Sequence, residues 1–335
     1  MKKKYLLEYN PQISKIIIKD SQRKIKEAEF YDVEDALNYI YNKNGEYCPL
    51  SVYMELTNCC NFKCPFCYIN CSSENKKMLN KDQIKKYVDF LIDKGMVYIT
   101  LSGGECLLHP NFTEIYESLY KKNILITILT NGSLINEKMI NMFSQNKPYK
   151  IEISIYASNN KQMVLNTKQN QISLEKIKKN ITTLKRKGIN VICKMPINNV
   201  TSKSFLEIKK WCKQKSIPFY YSDELFDKYN GESNKKLKLN NTKIKRILND
   251  EKYSLYSKMN FKLNKVKKCF DCKAGKYSMV ISYDGYVYPC FEFRQVKKGM
   301  FKINDNIAIA YNKMKKFILN LKDNNLEYCN GCNSY

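Results

Sequence analysis

The chain has 335 residues, 14 of them cysteine, and its 58 Lys and Arg against 32 Asp and Glu give a net charge of +26. This length can bury a sizeable core without disulfide bonds. No run approaches the roughly 20 apolar residues of a membrane span, and no apolar stretch follows the basic start as in a signal peptide. We therefore expect a cytoplasmic protein without a membrane partner, whose cysteines serve metal or redox chemistry.

The positive charge has two interpretations. It could attract a polyanionic partner, either nucleic acid or an acidic peptide. Alternatively the lysines, which are spread along helical stretches such as 176–187 and 235–245, form solvated helix faces. We favour the second interpretation, because the sequence has no Arg patch interleaved with the aromatic residues that stack on bases. The composition thus disfavours a nucleic-acid partner.

Residues 1–50 are expected to form an N-terminal appendage. Ile13–Ile18 is typical of a strand, and Asp32 precedes a short predicted helix, Val33–Tyr41, as an N-cap residue would. Fifty residues are few for an independent domain, so we expect this segment to pack on the main body.

Residues 51–222 alternate between strand-like and helical patterns. The predicted strands are 51–57, 97–101, 124–130, 150–155, 190–195 and 219–222, and the predicted helices are 81–94, 112–122, 136–144, 174–187 and 202–215. Such alternation predicts a parallel sheet with helical crossovers. Since a closed barrel of this kind needs eight units, six units predict an α/β fold with a partial (β/α)6 barrel.

Three cysteines follow the first predicted strand. Cys60, Cys64 and Cys67 have the spacing C-x3-C-x2-C. Their thiolates suit a soft metal such as zinc or an iron–sulfur cluster. If the group is a four-iron cluster, three protein ligands leave one iron open for a substrate or cofactor.

Polar and Gly-rich segments follow the other predicted strands. Gly103-Gly104-Glu105 follows the second strand, residues 130–133 follow the third, and 154–158 and 194–198 end the fourth and fifth. Active sites of such barrels lie at the carboxyl ends of the strands. We therefore expect these segments to surround the cysteine loop.

The remainder divides into a Lys- and Asn-rich bridge, 223–268, helical around 244–256, and a cysteine-rich α+β domain, 269–335. In the latter, Asp284-Gly285 lies between two strand-like runs and predicts a hairpin, and a helix is expected at 307–322. Its cysteines are Cys269, Cys272, Cys290, Cys329 and Cys332. They can provide four ligands to a second metal centre, and their spacing alone leaves zinc and iron–sulfur open.

Two motifs resemble those of the radical S-adenosylmethionine (SAM) superfamily. Cys60-Asn-Phe-Lys-Cys64-Pro-Phe-Cys67 resembles its C-x3-C-x-aromatic-C motif, and Gly103-Gly104-Glu105 its Gly-Gly-Glu motif. Segments 272–275, 285–290 and 329–332 resemble its SPASM/Twitch extension. The resemblance implies a [4Fe–4S] cluster on the first three cysteines, bound SAM, and an electron donor such as flavodoxin or ferredoxin.

The same resemblance implies an auxiliary [4Fe–4S] cluster in the tail rather than zinc. The wider SPASM pattern continues with further cysteines, whereas this sequence stops at Tyr335, so we expect one auxiliary cluster. Which four of the five tail cysteines bind it stays open.

Several residues receive roles from this resemblance. Gly103 and Gly104 would let the backbone approach the methionine moiety of SAM, and Glu105 would offset its ammonium charge. Phe66 would shield the cluster or the adenosine, or simply pack within its loop. Ser154 would hydrogen-bond the cofactor carboxylate or ribose, or cap its own turn.

Cys106 stands where the family usually has proline. It is either a hydrogen-atom donor to a substrate radical or a small buried apolar residue, and we favour the latter. His109, the single histidine, is expected to be structural. Cys59 is expected to be a bystander beside Cys60.

The resemblance implies a radical SAM enzyme that cleaves SAM reductively to a 5′-deoxyadenosyl radical and abstracts hydrogen from a peptide or protein substrate. The candidate reactions on a ribosomally made peptide are epimerisation, thioether formation and carbon–carbon crosslinking. The alternatives are a radical SAM enzyme that modifies RNA and a non-catalytic iron–sulfur or zinc protein. The last would leave Gly103-Gly104-Glu105 unexplained.

Overall fold

A computed structural model of the chain describes residues 5–20, 26–44, 47–69, 71, 76–240, 242–244, 247, 274–295, 298–304 and 306–320. Most of the helix predicted at 244–256 lies outside these residues, as do four predicted ligands, Cys269, Cys272, Cys329 and Cys332. Within the described ranges, no helix is both long and apolar enough to cross a membrane.

The N-terminal residues form a small antiparallel sheet and one helix. The strands are β1 (Tyr5–Asn10), β2 (Lys15–Asp20) and β3 (Lys26–Phe30), and the helix is α1 (Val33–Asn44). The sequence predicted β2 and α1 but not the other two strands. Apolar side chains of this unit share a buried cluster with Val97, Tyr98 and Leu125, at the starts of the main strands. The unit therefore covers the amino-terminal end of the main sheet.

Six parallel strands and their helices make up the centre of the chain. The strands are β4 (Ser51–Glu55), β5 (Tyr98–Ser102), β6 (Leu125–Thr130), β7 (Lys150–Ser154), β8 (Val191–Pro196) and β9 (Phe219–Ser222). The helices are α2 (Lys81–Asp93), α3 (Phe112–Lys121), α4 (Glu137–Gln145), α5 (Asn160–Thr167), α6 (Leu174–Arg186) and α7 (Phe205–Gln214). Only α5 was absent from the sequence prediction.

Strand periodicity divides the side chains between two faces. In β7, Ile151 and Ile153 are buried in the main apolar core with residues of the helices. Lys150, Glu152 and Ser154 alternate with them and line the interior cavity of the sheet. The outer face is thus closed by helices, and the inner face is available for polar chemistry.

The C-terminal residues extend the same sheet. They form β10 (Ser278–Ile281), β11 (Tyr286–Tyr288), the short helix α8 (Phe291–Gln295), β12 (Phe301–Lys302) and α9 (Ile307–Asn320). The predicted hairpin is confirmed, since β10 and β11 pair antiparallel. Strand β10 also pairs in parallel with β4, which the sequence did not predict.

The resulting nine-stranded sheet has the order β12-β11-β10-β4-β5-β6-β7-β8-β9. Its two outer strands, β12 and β9, do not pair with each other, so the sheet stays open. The predicted partial barrel of six parallel strands is confirmed, with the C-terminal hairpin added beside its first strand.

Candidate active site

A cavity of about 750 Å³ fills the concave side of the sheet. It runs from the cysteine loop at the carboxyl ends of the strands to the N-terminal unit at the other end. The predicted site residues that line it are Cys60, Cys64, Phe66, Cys67, Gly103, Gly104 and Ser154. The parallel strands thus gather these segments on one side, as expected from their positions at strand ends.

The three cysteines lie close to one another at the wall of this cavity. Burial raises the pKa of Cys64 well above its usual range, and the neighbouring Cys67 and Cys60 raise it further. The backbone N–H of Phe62 donates a hydrogen bond to Sγ of Cys60 at 3.3 Å. The loop therefore collects sulfur atoms at one place and directs a backbone donor at one of them.

Hydrogen bonds from distant segments fix the cysteine loop. Asn131, after β6, donates from Nδ2 to Oδ1 of Asn61 at 2.8 Å, and Asn61 donates to Oγ of Ser133 at 2.8 Å. The backbone N–H of Lys63 donates to the carbonyl of Thr167 in α5 at 2.7 Å. These contacts order the loop without using a cysteine.

Gly103 and Gly104 pack directly against the segment that precedes the cysteines. A Cβ atom on Gly103 would lie 2.4 Å from the carbonyl oxygen of Thr57, and one on Gly104 would lie 2.3 Å from that of Cys59. Gly103 also has φ +135°, which disfavours other residues. Both residues line the cavity, but the contact that requires glycine is with the backbone of the first strand end.

Glu105 points away from the cavity into the protein. Its Oε1 accepts hydrogen bonds from Oγ1 of Thr130 at 2.7 Å and from the N–H of Leu107 at 3.1 Å, and its Oε2 accepts one from the N–H of Asn131 at 2.7 Å. Burial raises its pKa despite these three donors. In this arrangement the carboxylate joins the second and third strand ends and does not line the cavity.

Cys106 and His109 are both buried beside this turn. The thiol of Cys106 donates to the carbonyl of Leu129 at 3.2 Å, and the residue is fully buried. For His109, Nδ1 accepts from the N–H of Asn111 at 3.2 Å, so Nε2 carries the proton and donates to the carbonyl of Leu79 at 2.7 Å. Neither side chain lines the cavity, and the contacts of both are structural.

Phe66 and Ser154 face the cavity from opposite segments. Phe66 is 7% exposed, and its ring makes an edge contact with Tyr156 at 5.0 Å between centroids. Ser154, at the end of β7, lies within hydrogen-bonding reach of Tyr156. Phe66 and Tyr156 thus form an aromatic corner beside Cys64, with one hydroxyl at its edge.

A charged triplet inside the sheet was missed by the sequence prediction. Glu152, with 5% of its side chain exposed, forms ion pairs with Lys150 at 2.8 Å and with Lys194 at 2.5 Å. The Lys194 side chain is 42% exposed and lines the cavity. The alternation of β7 was the available signal, because Lys150 and Glu152 share the face of Ser154.

A second buried charged cluster joins β4 to the C-terminal hairpin. Arg294 donates to both carboxylate oxygens of Asp284, at 3.1 and 3.0 Å, and its guanidinium carbon lies 3.7 Å from the ring centre of Tyr229. Tyr229 donates to Oε1 of Glu55 at 2.7 Å. Burial raises the pKa of Glu55 to about 7, outweighing the opposite effects of Arg294 and Tyr229.

This cluster adjoins Cys290, the predicted auxiliary ligand that the described residues include. Phe291, which follows Cys290, makes edge contacts with Tyr68 at 5.5 Å and Tyr53 at 4.8 Å between ring centroids. Tyr68 directly follows Cys67 in the sequence. An aromatic contact therefore connects the residues that come immediately after Cys67 and Cys290.

The cysteine loop has the donor chemistry of an iron–sulfur cluster site. Within the described parts of the chain, no three His, Cys, Asp or Glu side chains converge as ligands of one ion would. A four-iron cluster does not require such convergence, because each cysteine binds a different iron. Three interacting thiols at the wall of a cavity, with two glycines beside them, suit a cluster with one side open to a cofactor.

Two family models match the chain. Residues 54–212 match the radical SAM superfamily, and residues 272–333 match an iron–sulfur cluster-binding domain, SPASM. The first range covers the cysteine loop and β5 to β8 with most of α7. The second begins at Cys272 and ends just past Cys332, so it contains four of the five predicted auxiliary cysteines.

Two curated relatives come from Bacillus subtilis strain 168. The antilisterial bacteriocin subtilosin biosynthesis protein AlbA is 36% identical over 107 residues, which is 32% of this chain and 23% of AlbA. The sporulation killing factor maturation protein SkfB is 24% identical over 254 residues, 73% of this chain and 60% of SkfB. Each match therefore spans less than two thirds of the relative.

Among solved structures, Streptococcus suis SuiB bound to the precursor peptide SuiA superposes with a TM-score of 0.64. The match is 14% identical and covers 95% of this chain and 90% of SuiB. At this identity the similarity establishes the fold.

Proposed function

Since the chain belongs to the radical SAM superfamily and carries a SPASM iron–sulfur domain, we propose that it modifies a ribosomally made peptide or a protein. The observation that carries this proposal is the convergence of Cys60, Cys64 and Cys67 with Gly103 and Gly104 on one cavity. The peptide substrate is supported by SuiB, which was solved bound to a precursor peptide, and by AlbA and SkfB, whose names assign them to bacteriocin biosynthesis and to killing factor maturation.

In this proposal, Cys60, Cys64 and Cys67 would hold a [4Fe–4S] cluster, and SAM would bind beside it. Once bound, the cluster and SAM would supply the radical chemistry that removes a hydrogen atom from an unreactive C–H bond. Four of Cys269, Cys272, Cys290, Cys329 and Cys332 hold one auxiliary [4Fe–4S] cluster. A small electron-transfer protein such as flavodoxin or ferredoxin provides the electron.

The residues of the cavity would position the reactants and exclude water. Phe66 and Tyr156 close the wall beside Cys64 with apolar surface. Ser154 offers a hydroxyl, and the partly exposed Lys194 offers a cation to the carboxylate of SAM or of the substrate. Tyr220 and Phe226 line the cavity on the β9 side and would contact the substrate.

The domain boundaries and the roles of Glu105 and Cys106 are also proposals. The domain boundaries are 1–50 for the appendage, 51–222 for the barrel, 223–268 for the bridge and 269–335 for the auxiliary domain. Glu105 would act on SAM only from behind Gly104, since its carboxylate is held by Thr130 and Asn131. Cys106 would need to leave its bond to Leu129 before it could donate hydrogen to a substrate.

The first experiment measures 5′-deoxyadenosine after anaerobic reconstitution, with SAM and a chemical reductant. We expect the wild-type protein to form it and the Cys60/Cys64/Cys67→Ala triple variant to lose it. Cys59→Ser is the matched control, because the Cys59 thiol contacts Asn58 instead of the other sulfurs. A wild-type protein that contains iron and sulfide but forms no 5′-deoxyadenosine would contradict the proposal.

The second measurement identifies the reaction by mass spectrometry of candidate peptides encoded beside the gene. A crosslink or thioether removes two hydrogen atoms from the peptide. Epimerisation leaves the mass unchanged in H₂O and adds one deuterium in D₂O. If no peptide changes while 5′-deoxyadenosine forms, the substrate class is wrong although the radical chemistry stands.

A further inference from the structure

A fourth cysteine, Cys71, lies beside the proposed cluster ligands. Its Sγ is 3.7 Å from Sγ of Cys67, within hydrogen-bonding distance for sulfur. It also lies near enough to Cys60 for the two thiols to interact, and the residue is half-buried. No motif in the sequence distinguishes Cys71 from the bystander cysteines, so only the folded loop brings it to this place.

Cys71 differs from the proposed cluster ligands in its position relative to the cavity. Cys60, Cys64 and Cys67 line the cavity, whereas Cys71 does not. Cys71 is instead near enough to Tyr283, in the turn between β10 and β11, to influence that side chain electrostatically. A ligand for the open iron must reach the side where SAM enters. The position of Cys71 is therefore that of a neighbour of the ligands.

We propose that the Cys71 thiol donates a hydrogen bond to the ligand sulfur of Cys67 and thereby raises the reduction potential of the cluster. This inference rests on the proposed function, because it requires a cluster on Cys60, Cys64 and Cys67. A cysteine that binds iron does so as a thiolate, which can only accept a hydrogen bond. Between the sulfurs of Cys67 and Cys71, which lie 3.7 Å apart, Cys71 is therefore the donor.

The physical reason is charge. Reduction adds an electron to the cluster, and part of its charge falls on the ligand sulfurs. A donor aimed at these sulfurs stabilises the reduced form, which is why hydrogen bonds to sulfur help to set the potentials of iron–sulfur clusters. The N–H of Phe62 supplies one such donor to Cys60. Cys71 would supply a second donor, which a point mutation can remove.

The test is a redox titration of the reconstituted full-length protein, followed by electron paramagnetic resonance. The relevant cluster is recognised by the change in its spectrum when SAM is added. We expect Cys71→Ala to retain this cluster but to shift its potential downward. At the poise where the wild-type cluster is half reduced, the ratio of reduced to oxidised cluster should fall up to about tenfold, or 59 mV for one electron.

Two further variants test whether the shift in reduction potential comes from the hydrogen-bond donor of Cys71. Cys71→Ser keeps a hydrogen-bond donor at this position, so its reduction potential should lie between those of Cys71→Ala and the wild type. Cys59→Ser changes an adjacent buried cysteine whose thiol contacts Asn58, and it should leave the potential unchanged.

Three outcomes would overturn the proposal, and they are distinguishable. An unchanged potential in Cys71→Ala means that the thiol does not act on the cluster. Loss of the SAM-responsive cluster in Cys71→Ala, with retention in Cys67→Ala, makes Cys71 a ligand. If the wild-type protein itself assembles no SAM-responsive cluster, the proposed function fails, and this inference fails with it.

Discussion

Two buried carboxylates lie at the carboxyl ends of adjacent strands, Glu55 ending β4 and Glu105 following β5. Glu55 is 0% and Glu105 is 1% exposed. Glu105 accepts three hydrogen bonds, and both of its oxygens are satisfied. Glu55 accepts a hydrogen bond at Oε1 from the hydroxyl of Tyr229 and also interacts with the backbone N–H of Tyr283, whereas among the described residues its Oε2 has no hydrogen-bond partner.

The difference follows from where the partners originate. Glu105 is held by the following turn and the next strand end, so its environment belongs to the barrel alone. Glu55 depends on Tyr229, and on Arg294 and Asp284 in the C-terminal region. Burial alone therefore does not determine what a carboxylate does. Glu105 is part of the scaffold, whereas the environment of Glu55 depends on how the C-terminal hairpin packs on the barrel.

The largest expected effect is a loss of stability in the barrel scaffold that contains Glu105. Gly104→Ala would place a Cβ within 2.3 Å of the carbonyl oxygen of Cys59, and backbone atoms there cannot rotate away. We expect the free energy of unfolding to fall by about 4 kcal/mol or more, measured by chemical denaturation, with loss of cluster assembly.

Gly231→Ala is the control for this change. Its Cβ would meet no atom within 4 Å, but its φ of +91° is unfavourable for alanine. It should cost about 1 kcal/mol. If the two variants are equally stable, the close approach of the first two strand ends is not what holds the scaffold.

The second expected effect is a loss of stability where the C-terminal hairpin packs on the barrel. Arg294→Ala removes the cation beside Glu55 and Asp284, and it should cost about 3 to 5 kcal/mol because buried charges lose their partner. Lys85→Ala is the matched control, since it breaks a solvent-exposed pair with Asp89 that contributes little to stability. Equal losses of unfolding free energy in denaturant would show that the Arg294 cluster does not stabilise the interface.

The third effect depends on pH. The pKa of Glu55 is about 7 in the folded protein and about 4.3 in an unfolded chain. Between these values the folded state retains a proton that the unfolded state releases, so this group makes the protein less stable as the pH rises. Relative to wild type, Glu55→Gln should therefore gain about 3 kcal/mol of unfolding free energy between pH 4 and pH 8.

The comparison variant is Glu105→Gln. Its amide N–H₂ would face one of the donors that now approach both oxygens, so it should be about 1 to 3 kcal/mol less stable than wild type at pH 7. Opposite signs for the two glutamine variants at pH 8 would support the contrast. If the difference in unfolding free energy between Glu55→Gln and wild type does not depend on pH, the contrast between Glu55 and Glu105 is wrong.

Much of the fold was predictable because its signals are local. The alternation of strands and amphipathic helices from residue 51 to 222 gave the six parallel strands and all but one helix. The N-terminal strands β1 and β3 were missed because strand formation depends on pairing with neighbouring strands, which the local sequence does not specify. The pairing of β10 with β4 was also missed, since the two strands are more than two hundred residues apart.

The candidate site likewise has features that the sequence predicted and features that it did not. Spacing along the chain identified Cys60, Cys64 and Cys67, and order along the sheet placed Gly103, Gly104 and Ser154 beside them. Spacing could not show that the glycines pack against Thr57 and Cys59, or that the carboxylate of Glu105 turns away from the cavity. Those facts depend on how closely two loops approach.

The sequence by itself determined the motifs, the six parallel strands and the edge of the sheet where the candidate site lies, because these follow from residue spacing and strand periodicity. Only the tertiary structure decided that Cys71 lies beside the sulfur of Cys67 and that Glu55 lies beside Arg294. Tyr229 reaches Glu55 across 174 residues of sequence. Charge and hydrogen bonding act through space, so the properties of these groups are set by neighbours that the local sequence does not specify.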